Sequence, residues 1–158
     1  VDDFTIPRDE SGNVLPHDHP NFATGQSLIR RISAEHVVFD KNRNCQRLSS
    51  ALFAYDDPAN HLSCDSSACI EARDEEPAAY VSTDGWLGAL VLAADNVRSI
   101  QAGTDTKIGM VPLEENPCHG GVWAKITRGR ANAMLRTADW LVGIPNTAKS
   151  DQDAPLAE

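Results

Sequence analysis

From Leu28 to Phe53 the chain strings together short apolar segments interrupted by arginines, hydroxyls and a histidine: LIRRI, then SAEHVVFDKNRNCQ, then RLSSALF. A shorter echo, NPCHGGVWAKI, runs from Asn116 to Ile126. Segments of this length suit strands, and a guanidinium placed where a core would carry a plain aliphatic must be given polar partners. The pattern therefore points to a sheet-based fold with a polar pocket built on strands.

A chain of 158 residues has room for one domain with a real core. Aromatic content is only 6%, so that core should be built mainly from Leu, Val, Ile and Ala. The expected architecture is a compact single α+β domain, residues 26–145, with a twisted, mostly antiparallel sheet and about three short helices. Leu87 to Ala93 is apolar throughout and reads as a strand covered on both faces. Ser66 and Asp95 are expected helix N-caps, and a further helix begins at Thr127 or Arg128. Ala78 to Ser82 reads as a strand. Residues 1–25, with Pro7, Pro16, Pro20 and Gly12, form an extended N-terminal arm; residues 146–158 form a mobile, disordered tail.

Formal net charge is -9, spread along the chain, which makes nucleic acid an unlikely partner. Arg30, Arg31, Lys41, Arg43 and Arg47, then Arg128, Arg130 and Arg136, are the local exceptions. They are either solvated surface charges or a basic patch suited to a phosphate-bearing small molecule. No apolar run approaches the roughly 20 residues that cross a bilayer, so no membrane partner is expected. Acidic residues at the start of the chain argue against a secretory signal and for the cytoplasm. In that setting Cys45, Cys64, Cys69 and Cys118 read as reduced thiols.

Three chemistries compete for the polar residues. His61, Cys64, Cys69, Cys118 and His119 are metal-ligating types, but their spacing matches no zinc knuckle, and no metal is assigned. His17 and His19 flank Asp18 in the HDHP arm, where two imidazoles and a carboxylate could meet a cation or simply make a polar turn. Nucleophiles such as Ser49, Ser50 and Cys118 lack a G-x-S-x-G elbow, and adjacent Cys118 and His119 point to opposite sides of a strand. Nucleotide binding has neither a Walker loop nor G-x-G-x-x-G to use. An arginine on one strand and hydroxyls on the next provide another route, with Arg30 or Arg31 on a pyrophosphate and Ser49 or Ser50 on a ribose. The candidate pocket is accordingly Arg30, Arg31, Arg47, Ser49, Ser50 and His119.

At these residues the chain resembles a family of small, uncharacterised bacterial proteins. The shared motifs are L-x-R-R-I at Leu28–Ile32, R-x-S-S-x-x-F at Arg47–Phe53, L-S-x-D at Leu62–Asp65 and P-x-H-G-x-V at Pro117–Val122. The chain is more weakly similar to RES-type ADP-ribosyltransferases, which consume NAD, although it lacks their glycine-rich second block and an assignable catalytic glutamate. Two functional expectations follow. The first is a non-catalytic accessory or immunity-like module that binds a protein partner through its acidic surface, with no cofactor. In that case Arg47 pairs with Asp40 or Asp65, and Ser49 and Ser50 bond to backbone. The alternative is a small ADP-ribosyltransferase-like enzyme, or a degenerate one, holding NAD or a related nucleotide in the Arg/Ser-Ser/His pocket.

Overall fold

The structure is a computed structural model that describes residues 4–57 and 59–157. Six strands form an antiparallel sheet in the order β6-β7-β4-β1-β5-β8: β1 (Ser27–Ile32), β4 (Leu62–Ser66), β5 (Gly88–Ala93), β6 (Lys107–Met110), β7 (His119–Trp123) and β8 (Asp139–Val142). A smaller sheet sets β2 (Val37–Asp40) antiparallel to β3 (Cys45–Leu48), and β3 parallel to β9 (Thr147–Ala148). The α+β class and the mostly antiparallel sheet are as expected.

Helices cover both faces of the large sheet. On one side Leu28, Leu90, Leu92, Ile108 and Val122 pack with Val97 of α3 (Ala94–Ile100) and with Ala131, Met134 and Leu135 of α4 (Arg128–Thr137). On the other, Ile29, Ala89 and Cys118 pack with Ile70 of α1 (Ser67–Ala72) and Val81 of α2 (Pro77–Val81). This two-sided cover explains the unbroken apolar run of β5, whose alternate residues serve different cores.

Local signals placed several helix starts. Ser66 caps α1 by accepting from the Cys69 amide, and Thr127 caps α4 by accepting from the Arg130 amide. Asp95, expected as a cap, lies in the first turn of α3, and its carboxylate accepts from the Gly25 amide. The strand expected at Ala78–Ser82 is the helix α2: Pro77 stands in its first turn, where its fixed φ and missing N–H favour a helix.

The C-terminal stretch differs from the expected mobile tail. Thr147 and Ala148 are fully buried in β9. The Asn146 amide donates to Leu156 and the Leu156 amide to Thr147, folding the chain back on itself. Leu156 packs closely over Gly143, where a Cβ would stand 2.3 Å from Leu156 Cδ2 and would require that side chain to shift. Composition alone hid this docking, since β9 draws its hydrogen bonds from β3, a hundred residues away in sequence.

A second difference concerns the thiols. Cys69 and Cys118, read as reduced, form a disulfide, whereas Cys45 and Cys64 are free. The link ties α1 to the loop entering β7 across 49 residues of sequence.

Candidate functional site

β1 pairs with β4 over only two registers, Leu28 with Ser66 and Ile29 with Asp65, although both strands run on. Beyond that point the strands splay, and the two arginines of LIRRI fill the gap. Adjacent strand residues point to opposite faces, so the arginines enter it from different sides and find different partners.

Arg30 donates through Nε to the Leu52 carbonyl (2.9 Å) and through Nη1 to the Ser63 carbonyl (3.1 Å). The second bond replaces a ladder bond that β4 loses where β1 leaves it. Among the described residues no carboxylate lies within ion-pair distance of Arg30. Burial pulls its guanidinium below the ordinary arginine range, against the attraction of Cys64, Glu35, Asp65 and Tyr55; arginine nonetheless stays charged at any ordinary pH.

Arg31 uses all three of its nitrogens. Its Nε lies 2.8 Å from Asp65 Oδ2 and its Nη2 3.4 Å from Oδ1, a bidentate pair whose carboxylate is almost wholly buried. Asn116 donates to the same Oδ1 at 2.7 Å, Tyr80 donates to Asn116 Oδ1 at 2.5 Å, and Thr83 accepts from Arg31 at 3.3 Å. The rings of Tyr80 and Trp86 each stand 5.9 Å from the Arg31 guanidinium carbon. Arg31 is thus a strut that fixes the wall of the gap.

The resulting cleft has a volume of about 510 Å³ and includes Arg30, Arg31, Arg73, Asp65, Tyr80, Trp86, Glu115, Asn116 and His119 in its lining. Such a volume suits a small-molecule ligand. Of its three guanidinium groups, Arg31 is paired with Asp65 and Arg73 with Glu75, which leaves Arg30 as the lining arginine with no carboxylate at ion-pair distance among the described residues. His119 stands opposite Asp65 in the β4–β7 register. Its Nδ1 lies 2.9 Å from the Val111 carbonyl, which can only accept, so Nδ1 carries the proton in the neutral ring and Nε2 keeps a lone pair. The buried Cys64 thiol also lines the cleft, but burial, with Asp65 beside it, pushes it far up, so it is no thiolate nucleophile. The disulfide braces the wall by fixing Cys118 beside Pro117 and Asn116.

Of the six residues picked out from sequence, Arg30, Arg31 and His119 meet in this cleft. Arg47, Ser49 and Ser50 do not line it. Arg47 lies on β3, with Nε 3.3 Å from Asp40 Oδ2, an ion pair without hydrogen-bond geometry, while Nη1 donates to the Leu48 carbonyl. Ser49 caps the short 3₁₀ turn Ser50–Leu52 by accepting from the Ala51 amide. That turn presents the Leu52 carbonyl to Arg30, so the R-x-S-S-x-x-F block acts on the cleft through backbone rather than through its hydroxyls.

Asp65, Tyr80, Trp86, Arg73 and Asn116 were missed as site residues. Asp65 and Asn116 did carry a signal, since each sits in a segment that stood out in the sequence. Tyr80, Trp86 and Arg73 had none, because only the packing of α2, the loop after it and the C-terminal end of α1 brings them to the cleft.

Among the described residues no group of three or more His, Cys, Asp or Glu side chains is placed to hold a metal ion. No described helix is long and apolar enough to cross a membrane. No family model, curated protein or solved structure matches the chain.

Proposed function

We propose that this protein binds a small anionic molecule, carrying phosphate or carboxylate, in the cleft between β1 and β4. The observation that carries the reading is Arg30: a half-buried cation, fixed by two carbonyls and lacking a carboxylate partner among the described residues, lines a cleft of ligand size. A cation held this way has its geometry set before the ligand arrives, and its remaining N–H groups suit a planar or tetrahedral anion. Trp86, 40% exposed, and Leu113, also 40% exposed, add apolar surface to the lining for the rest of such a ligand.

The ADP-ribosyltransferase-like alternative, with NAD or a related nucleotide, is the enzymatic form of this reading. It draws support from Arg30 and Glu115 lining the same cleft. The accessory-module reading, with a protein partner, draws support from the net charge of -9 and from Phe39, 59% exposed on the edge strand β2. The cytoplasmic assignment fares less well, because a Cys69–Cys118 disulfide belongs with an oxidising environment.

The test is a thermal-shift titration with ADP-ribose and with inorganic phosphate as the minimal anion. A ligand at about 100 times its Kd adds about 2.7 kcal/mol of stability. The expected result is stabilisation that Arg30→Met abolishes; nicotinamide release on adding NAD would then separate enzyme from binder. Absence of any shift with either probe removes the anion reading and leaves the protein-partner reading to a binding screen.

A further inference from the structure

The HDHP arm closes the open edge of the large sheet. β6 is the outermost strand, and an outermost strand presents unpaired N–H and C=O groups. The arm supplies their partners, largely through side chains. Asp18 Oδ1 accepts from the Ile108 amide at 3.1 Å, and His17 Nε2 accepts from the Met110 amide at 3.2 Å. The His19 amide donates to the Ile108 carbonyl at 3.0 Å. His19 Nδ1 accepts from the Asn21 amide at 3.0 Å, shaping the turn that leads the arm away. The fit is built into β6 itself: a Cβ on Gly109 would lie 2.5 Å from His17 Nε2 and 2.6 Å from the His17 carbonyl oxygen.

Both imidazoles are used as acceptors, and this fixes their protonation. His17 Nδ1 lies 2.8 Å from the Leu15 carbonyl and so carries the hydrogen, which leaves Nε2 bare to receive Met110 N–H. A second proton on His17 would set N–H against N–H at the bond that holds the arm on β6, and one on His19 would do so against the Asn21 amide at the turn that leads the arm away. We propose that the arm is a proton-released strap, docked on β6 while His17 and His19 are neutral and lifted from it when they become charged, exposing the β6 edge.

The surroundings of His19 favour a neutral ring. Phe4 and Trp123 pack against His17, with Phe4 also against His19, and the two imidazoles face each other at 6.1 Å, so a charge on one opposes a charge on the other. The charged groups near them belong to Asp18. Its carboxylate meets Arg98 of α3 at 3.3 Å and Lys107 of β6 at 3.7 Å, and Lys107 meets Asp105 at 3.6 Å. Across Trp123 stands a further imidazole, His61. Burial, then the neighbouring His17, lowers His19 from its ordinary value. For His19 the sign follows: a folded-state value below the unfolded one means that the turn its ring holds is at full stability above about pH 6.5 and loses it as pH falls below that.

Hydrogen exchange of the Ile108 and Met110 amides on the full chain tests this directly. Expressed as protection factors, which remove the intrinsic pH dependence of exchange, both amides should lose at least about tenfold between about pH 7.5 and pH 5. Amides in the centre of β1 should hold. The double variant His17→Asn, His19→Asn keeps an acceptor at both positions without a titrating ring and should retain protection at the lower pH. Unchanged protection in the parent chain would overturn the proposal. So would an equal loss in the double variant, because carboxylates rather than imidazoles would then release the arm.

Discussion

The cleft between β1 and β4 and the covered edge of β6 answer the same structural need in opposite chemical terms. In each place a strand runs on without a neighbouring strand, and side chains supply the missing hydrogen bonds. At the cleft the orphan is a carbonyl, Ser63 O, and the substitute is a donor, Arg30. At the edge the orphans are amides, Ile108 and Met110 N–H, and the substitutes are acceptors, Asp18 and His17. The consequence differs with the chemistry. Arginine keeps its proton at any ordinary pH, so the cleft stays assembled and leaves cationic N–H groups to spare. Histidine accepts only while neutral, so the edge is conditional. On the two proposals made above, one solution makes a binding surface and the other a strap.

The largest expected effect breaks the cleft alone. Asp65→Ala leaves Arg31 without its buried carboxylate and Asn116 without its acceptor, and should cost about 3–5 kcal/mol in chemical denaturation. Protection at Met110 should survive wherever the variant remains folded. Removing the disulfide with Cys69→Ala and Cys118→Ala should cost about 2–4 kcal/mol and weaken ligand binding through the loosened Asn116–Pro117 wall.

Next comes the edge. Gly109→Ala drives a Cβ into His17, including backbone, and should cost about 1–3 kcal/mol while leaving anion binding intact. Combining it with Asp65→Ala sharpens the comparison, since independent regions add to within about 0.5 kcal/mol. A larger coupling would implicate the ring row that joins them, His17, Trp123, His61 and His119, spaced 5.4, 5.4 and 5.7 Å between successive centroids.

Acid should act on more than the arm. Burial followed by His119 lowers His61, and burial followed by Arg30 lowers His36, against an opposing pull from Glu35. Both groups therefore contribute stability above about pH 6.5 that is lost as pH falls. Tm should be level near neutrality and decline toward about pH 5. The smallest effect belongs to Arg47→Met. This ion pair is partly solvated and remote from the cleft, so about 1 kcal/mol or less should be lost, with ligand affinity unchanged.

Several features were legible in the residues themselves. The helix cap at Ser66, the start of a helix at Thr127 or Arg128, the two-sided burial of Leu90 and Val91, and the weight given to Arg30, Arg31 and His119 all follow from local chemistry. A cap is a contact three residues long, and a charged side chain in an apolar strand announces that it needs a partner. The sequence did not name those partners. Ser49 and Ser50 looked like ligand contacts because hydroxyls beside an arginine suit a ribose, yet the turn that Ser49 caps and Ser50 begins contributes a carbonyl. The docked C-terminal stretch, the Cys69–Cys118 link and the Tyr80–Asn116–Asp65–Arg31 network all depend on pairings across tens of residues. No local propensity encodes where β1 parts from β4 or which loop closes over the gap. Sequence alone thus determined which residues had to be satisfied. Only the tertiary structure decided what satisfied them, and left Arg30 with N–H groups to spare.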